Sequence, residues 1–501
     1  MRADLIANRS NVWDFRLRAP LLVLLAALLL SPATALAAHG RAVDTVTALV
    51  TAGQFDAADA RIDKTLKQAG LDADTRRALE FQRARMQRMR ADFSLTADQV
   101  KAQLRKDIPG LTDAQFENFD AHGFLEHMYI DGKRRYFRRS PSNLFRLSAR
   151  ARALRDGKTR YLPSGLPKQE NLAHMRYDRK VIQRAEATGK TSVLPQRVRV
   201  TSTITVDADA VPAGKTVRAW IPYPRAIEGQ QKDIRFVDSR PSRHRIAPNA
   251  TLQRTVYLEK TAEAGKPTVF SVTFEVTLFA QYHPIDPDKV VPARITPQLA
   301  PYAGERAPHI VFTEPLRVFS RQIVGDTTNP YRIAQKIYAA VDQIPWAGAR
   351  NYSTIPDLSA YTLRAGHGDC GEQTMLLITL MRMNGIPARW QSGWTFTDGD
   401  YSDIHDWAEI YLAPYGWIPV DVTYGQFDTN DPQLKWFYLG GLDNYRIAFN
   451  DAWSKSFVPA KKHFRSDTVD SQMGEVEFDG GNLYYDQWSH DYDWKILPSK
   501  D

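Results

Sequence analysis

One stretch, residues 366–421, constrains the fold more than any other part of the chain. Its helix begins after Asp369, which forms a capping-box pattern with Glu372 three positions later. The residues that follow, TMLLITLMRM, are apolar on nearly every side, and such a helix is stable only when it is buried inside a domain. An Asn-Gly pair ends it. The only cysteine of the 501 residues, Cys370, therefore falls in the first turn of a core helix.

This position favours chemistry at the sulfur. Free backbone N–H groups and the positive end of the helix dipole stabilise a thiolate, and the same groups, with the amide of Gly371 among them, can form an oxyanion hole. A cysteine that serves only as a small buried hydrophobe would more naturally lie along the apolar body of the helix. The pattern predicts that Cys370 is a reactive thiol.

A predicted hairpin supplies the partners of this thiol. His405 stands at the start of its first strand and Asp421 near the end of its second, so antiparallel pairing brings the two together. If residue 412 pairs with 417, the two side chains lie on opposite faces. If 412 pairs with Gly416 through a three-residue turn, Asp421 lies diagonal to His405 on the same face. We predict the second register, with Asp421 orienting His405.

Two other residues compete for these roles. Asp406 follows His405 directly and should point to the other face of the strand. His367 lies three positions before Cys370 but lacks the HDW context of His405. We therefore prefer Asp421 over Asp406 and His405 over His367.

The ordered motifs GDCGEQTMLLITLMRMNGIPAR, HDWAEIYL and GWIPVD resemble the transglutaminase-like superfamily, which has a papain-type thiol fold. The resemblance covers roughly residues 330–425. It implies Cys370 as nucleophile, His405 as base and Asp421 as the residue that orients the base. It also implies a second oxyanion donor from upstream, for which Trp346 and Tyr352 are candidates.

The resemblance leaves calcium as an open alternative, because Asp398, Asp400 and Asp403 are closely spaced in the loop before the histidine and some animal relatives need calcium. A solvated loop is the simpler interpretation. One cysteine and scattered histidines lack the spacing of a zinc site. We expect neither a metal nor a cofactor.

The rest of the chain indicates a multidomain α+β protein. We expect a helical region over 38–94, then over 95–195 a winged-helix-like module with two capped helices, a hairpin turning at Asp131-Gly132 and a linker. Short alternating strands over 196–285 are typical of a β-sandwich. Residues 286–501 form the transglutaminase-like domain with an aromatic-rich C-terminal extension.

The N-terminus predicts the destination of the protein. Four arginines precede the apolar run LLVLLAALLL, and Ala35-Leu36-Ala37 matches a cleavage site, so residues 1–37 read as a signal peptide. Other apolar segments are too short to span a bilayer, so we expect a secreted or periplasmic protein without a stable membrane span. Export also argues against a nucleic-acid partner, despite the formal net charge of +9.

Together these features predict a thiol enzyme that carries out acyl transfer or hydrolysis at a peptide or protein amide, through a Cys-His-Asp triad and a thioester. The substrate is expected in the envelope, with cell-wall peptide as one candidate. The alternative is a catalytically inactive binding or assembly protein of the cell envelope that keeps the fold. Hydrolysis and amine transfer share their first half, and the sequence does not separate them.

Overall fold

A computed structural model describes residues 32–155 and 168–498. The protein is a mixed α+β protein with several separate sheets. Most of the predicted signal peptide, residues 1–31, lies outside the described residues, as does part of the predicted linker, 156–167.

Short helices and one hairpin form the N-terminal region. They are α1 (Pro32–Thr51), α2 (Phe55–Leu66), α3 (Ala73–Asp92), α4 (Ala97–Asp107), α5 (Asp113–Ala121), β1 (His127–Ile130), β2 (Lys133–Tyr136), α6 (Ser140–Leu147) and α7 (Ala149–Arg155). One apolar cluster joins α1, α2 and α3, and a second joins α4, α5 and α6. The hairpin contributes side chains to both clusters, so the two parts pack as neighbours.

Local sequence signals in this region are confirmed. Thr96 and Thr112 each form a capping box with the glutamine three positions later. The hairpin turns at Asp131-Gly132, and both residues have positive φ, as a tight two-residue turn requires. The winged-helix description of the module stays a prediction.

The middle of the chain carries one long helix and six strands. They are α8 (Lys168–Thr188), β3 (Ser192–Val206), β4 (Thr216–Pro222), β5 (Gln231–Arg240), β6 (His244–Ile246), β7 (Thr255–Thr261) and β8 (Thr268–Tyr282).

The last part of the chain holds the central helix and the remaining strands. They are α9 (Glu314–Val324), α10 (Pro330–Asp342), α11 (Leu358–Ala365), α12 (Cys370–Met383), β9 (Ala388–Phe396), β10 (Ser402–Leu412), β11 (Gly416–Val420), α13 (Pro432–Lys435), β12 (Gly441–Leu442), β13 (Arg446–Asn450), β14 (Glu475–Phe478), β15 (Gly481–Leu483) and β16 (Trp488–Leu497).

Two five-stranded sheets combine strands from distant parts of the chain. One has the order β12-β8-β3-β16, with β5 also paired to β8, and the other has the order β15-β14-β4-β7-β6. Their apolar faces belong to one cluster, with Val200, Phe274 and Val476 fully buried. The C-terminal strands thus complete sheets that begin almost 300 residues earlier. The β-sandwich description and the boundary at residue 285 stay predictions.

The central helix is buried as its composition predicts. Every residue of α12 from Gly371 to Arg382 is buried, and the helix packs on the sheet β11-β10-β9-β13. Fully buried Leu or Met side chains each contribute roughly 1.5–3 kcal/mol to folding, so this helix fixes the position of its own first turn firmly.

The hairpin β10-β11 has the predicted register. Leu412 pairs with Gly416, whose φ of 87° suits glycine, and the ladder continues to Ala408 and Val420. The next positions along the two strands are Trp407 and Asp421, which leaves His405 diagonal to Asp421.

The described helices do not include a candidate membrane span. Within residues 32–155 and 168–498, no helix has the combined length and apolar character that crossing a bilayer demands.

Candidate active site

The first residue of α12 is Cys370, a half-buried free cysteine. The carboxylate of Asp369 accepts a hydrogen bond from the Glu372 amide at 3.0 Å, and the Glu372 carboxylate accepts one from the Asp369 amide at 3.0 Å. This capping box confirms the helix start predicted from the sequence and holds Cys370 at the surface of the core.

A cavity of about 970 Å³ opens beside Cys370. His405, Asp406 and Tyr424 line it from the strand and loop side. Other lining residues come from the N-terminal region, and Arg88 of α3 is one of them. Cys370 and His405 thus share one cavity, and the helical N-terminal region is part of its wall.

His405 is held by a buried network. Its Nε2 lies 2.7 Å from Oδ2 of Asp421, and the same oxygen accepts a hydrogen bond from Nη1 of Arg446 at 2.7 Å. Arg446 also pairs with Asp443, and it lies against the rings of the aromatic residues around His405. The distance between His405 and Asp421 is within the 4 Å that the orienting role demands.

The buried network stabilises the ionised form of Asp421. Burial alone would raise the pKa of Asp421, but the charge and hydrogen bond of His405, and then those of Arg446, lower it to about 2. The carboxylate is therefore ionised at neutral pH, and it can hold the histidine ring in one orientation.

The surroundings of the sulfur differ from the expected thiolate site. Within the described residues, Sγ of Cys370 has its hydrogen bond with Oδ2 of Asp406, at 3.3 Å, and not with His405. Burial, followed by the charges of Asp406, Asp369 and Asp403, raises the pKa of the Cys370 thiol well above its usual value. Burial and these carboxylates favour the thiol over the thiolate, so a base is needed to activate the sulfur.

Asp406 itself is buried and weakly acidic. Burial first, and then the charge of Asp369, raise its pKa to about 7, although contacts with Asp470, His405 and Cys370 oppose the shift. Nε2 of Gln472 donates to Oδ1 of Asp406 at 2.9 Å and to the carbonyl oxygen of His405 at 2.6 Å. Gln472 thereby ties the strand that carries both residues to the C-terminal extension.

The candidate oxyanion residues surround Cys370, but two of them have other partners. The hydroxyl of Tyr352 donates to Oδ1 of Asp369 at 2.7 Å, and the guanidinium of Arg146 lies 4.1 Å from the ring centre of Trp346. Both Tyr352 and Trp346 line the cavity. At Gly371, an added Cβ would lie 2.1 Å from the Tyr352 hydroxyl oxygen, so the close approach of the phenol requires glycine.

Neither competing residue, His367 or Asp406, occupies the position of the residue that was preferred over it. His367 is buried outside the cavity lining, with its ring packed against Tyr361, and burial lowers its pKa. Asp406 contacts Cys370 and not Asp421. Among residues 32–155 and 168–498, no group of three or more His, Cys, Asp or Glu side chains is arranged to hold a metal ion.

Sequence reasoning missed three members of the site. Arg446 and Gln472 lie in the C-terminal extension, where no local motif marks them. The contact of Asp406 with Cys370 was also missed, although the adjacency of two polar residues in HDW was a usable signal. Neighbouring side chains on a strand point to opposite faces, so Asp406 had to contact residues on the face that His405 does not.

Comparison with known proteins agrees with this geometry. Residues 317–422 match the family model of the transglutaminase-like superfamily, which confirms the predicted transglutaminase-like region. Over 84 residues the chain is 30% identical to the "Uncharacterized protein YebA" of Bacillus subtilis, a match that covers 13% of this chain and 11% of the relative. The chain therefore matches about a tenth of the length of that curated relative.

Comparison with solved structures gives two matches at low sequence identity. One is of "a Putative Cysteine Protease from Cytophaga hutchinsonii", with 17% identity and a TM-score of 0.43 over 62% of this chain and 93% of that one. The other is of "a putative protease from Parabacteroides distasonis", with 9% identity and a TM-score of 0.18 over 52% of this chain and 68% of that one.

Proposed function

We propose that this protein is an exported thiol enzyme that transfers or hydrolyses the acyl group of a peptide or protein amide. The observation that carries the proposal is the pairing of His405 with the ionised Asp421 at 2.7 Å in the cavity that Cys370 lines. The family match over 317–422 covers all three residues and supports the same assignment.

In the proposed reaction, His405 takes the proton of the Cys370 thiol, and the sulfur attacks the amide carbonyl. Asp421 stabilises the imidazolium that forms. Backbone N–H groups at the start of α12 bind the developing oxyanion. The imidazolium then protonates the leaving nitrogen, the C–N bond breaks, and ammonia or an amine departs. Water or a second amine attacks the thioester, which releases the acyl product and restores the thiol.

A base is essential in this scheme because the thiol is not acidic. Burial and the neighbouring carboxylates raise the pKa of Cys370, so few molecules carry a free thiolate at neutral pH. The proton transfer to His405 therefore has to accompany the attack on the substrate. We infer the location of the enzyme and of its substrate from residues 1–37, which resemble a signal peptide. The substrate amide would then lie in the envelope or outside the cell.

The experiment is a side-by-side measurement of amine incorporation and ammonia release with peptide substrates. We expect activity from the wild-type chain and none from Cys370→Ala. His405→Gln should reduce both signals strongly while the thiol remains. Equal signals from wild type and Cys370→Ala would refute the enzyme proposal.

A non-catalytic binding or assembly role is the second candidate, and the raised pKa of Cys370 favours it. The two candidates differ in how the thiol reacts. An enzyme should show rapid labelling of Cys370 by a neutral haloacetamide, with a rate that depends on His405. A thiol that labels slowly at all pH values below 9, and equally in His405→Gln, would support the binding protein.

A further inference from the structure

The part of the cavity lining that comes from the N-terminal region contains a buried arginine with unmet donors. Arg88 of α3 is only 5% exposed and lines the cavity. Its Nη2 donates to the carbonyl oxygen of Arg465 at 2.7 Å, and its guanidinium lies 4.5 Å from the ring centre of Tyr484. Its Nε and Nη1 have no hydrogen-bond partner among the described residues. Buried charges are normally paired, so two unmet donors on a buried guanidinium require an explanation.

Three other arginines of the lining lie near carboxylates. Arg138 pairs with Asp92, and Arg350 pairs with Glu126, although Nε of Arg350 also lacks a hydrogen bond among the described residues. The charge of Arg139 opposes the rise in pKa that burial causes at Asp369 and Asp403.

Two of the carboxylates that line the cavity have partners of their own. Asp92 accepts a hydrogen bond from the Asn351 amide, and Asp467 accepts one from the Val469 amide. Among the described residues, none of these acids forms an ion pair with Arg88.

A second unmet donor lies in the same lining. The hydroxyl of Tyr485 is buried without a hydrogen-bond partner among the described residues. It follows Tyr484, the residue whose ring stacks against Arg88. A guanidinium and a phenol that both lack acceptors suit a ligand group with several acceptor oxygens and a negative charge.

We propose that Arg88 and Tyr485 form a subsite for a carboxylate of the substrate, so that the acyl donor is an acidic peptide. This inference rests on the proposed function, because it assigns the subsite to the donor whose amide reaches Cys370. A guanidinium with unmet N–H groups can donate charge-assisted hydrogen bonds to the oxygens of a carboxylate. The N-terminal helical region is then a specificity element of the active site.

The test uses paired alkylating reagents on the full-length protein. Each pair carries a chloroacetamide at one end and, at the other, either a carboxylate or its neutral methylamide, with spacers of two to six methylene groups. We expect one spacer length at which the acid alkylates Cys370 on the order of tenfold to a hundredfold faster than its amide twin, with a saturating rate. A spacer series is needed because the ligand must span the cavity.

Arg88→Met should bring the acid-to-amide ratio close to one. Arg85→Met is the matched control. Arg85 lies one turn earlier in α3, is also 5% exposed and donates to the carbonyl oxygen of Thr354, but it is not among the cavity residues. Loss of the same charge there should leave the ratio unchanged. Arg88→Lys keeps the positive charge but replaces the planar guanidinium with a single ammonium. It should retain only part of the preference for the acid over the amide.

The outcomes separate the two proposals. Equal rates for acid and amide at every spacer, with normal reaction of the neutral reagent, would overturn the subsite and leave the enzyme proposal intact. Failure of both reagents on the folded protein would count against the enzyme proposal.

A second measurement tests the subsite without the Arg88 variants, in case they fold poorly. Calorimetry with Cys370→Ala should show binding of an acidic peptide and no binding of its amidated form. If inorganic phosphate competes with that peptide better than acetate does, the subsite is for phosphate and the assignment to a carboxylate is wrong.

Discussion

Replacing Asp421 with asparagine should separate the orientation of His405 from the stability of the buried network. The substitution removes the anionic partner of His405 and one of the two carboxylates that contact Arg446. Asp443→Asn is the matched control, because it removes the other carboxylate from Arg446 and Asp443 has no hydrogen bond to His405 among the described residues.

The magnitude follows from the pKa of Asp421. Its lowering from 3.8 to about 2 corresponds to roughly 2.5 kcal/mol of folding free energy. Because the folded state holds the proton less tightly than the unfolded state, this contribution is fully present above about pH 4 and disappears as the pH falls to about 2. At pH 7 the variant should therefore lose roughly 2 kcal/mol, visible as a lower thermal midpoint, and the difference from wild type should shrink in acid.

Activity should respond differently. An amide in place of the carboxylate cannot stabilise the imidazolium, and it can select the wrong tautomer, so we expect acyl transfer to fall by on the order of 10²–10⁴ in Asp421→Asn. Asp443→Asn should also lose stability, because the pKa of Asp443 is lowered too, but it should keep most of its activity. Initial rates of ammonia release below the midpoint of both variants provide the measurement. Equal losses of activity in the two variants would refute an orienting role for Asp421.

Three further substitutions test the surroundings of the thiol and the buried charges. Asp406→Asn removes a carboxylate that raises the pKa of Cys370, so haloacetamide labelling should become about tenfold faster above pH 8, with little change below pH 6, where Asp406 is already protonated. Gly371→Ala places a Cβ 2.1 Å from the Tyr352 hydroxyl oxygen and should cost about 1–3 kcal/mol, measured by thermal denaturation. Burial raises the pKa of Asp342 to about 7, so the folded state binds more protons than the unfolded state between pH 4 and 7. Asp342→Asn should therefore stabilise the protein by a few kcal/mol at pH 8 and much less at pH 4, as denaturation at both pH values would show.

The substitutions at Asp406 and Gly371 each have a matched control. Asp403 ranks below Asp406 among the causes that raise the thiol pKa, so Asp403→Asn should change labelling less. At Gly399, the nearest heavy atom to an added Cβ is 3.6 Å away, so Gly399→Ala should be neutral. An unchanged midpoint for Gly371→Ala, or a pH-independent effect of Asp342→Asn, would contradict the corresponding argument.

The sequence predicted the parts of the site that depend on local geometry. A capping box and an apolar run depend on residues within one or two turns, so the start of α12 and its burial follow from short-range patterns. The register of the hairpin depends on one turn, and Gly416 identified it. That register is what brings His405 within 2.7 Å of Asp421.

The sequence failed where a property depends on residues far away in the chain. The expected thiolate follows from the helix dipole alone, whereas the pKa of Cys370 also depends on burial and on Asp406, a strand residue 36 positions later. Arg446 and Gln472 reach the site from the C-terminal extension through strand pairing and backbone hydrogen bonds. No sequence pattern near Arg446 or Gln472 indicates that they contact the site.

By itself, the sequence determined which helix is buried, where it begins, and how the hairpin that carries His405 is paired, because each of these depends on contacts between near neighbours in the chain. Only the tertiary structure decided the charges around the sulfur and which distant segments line the cavity. Electrostatic energy depends on distances in space and on burial, so Asp406 raises the pKa of Cys370 although 36 positions separate them, and helix α3 and the C-terminal extension reach the cavity only through the fold.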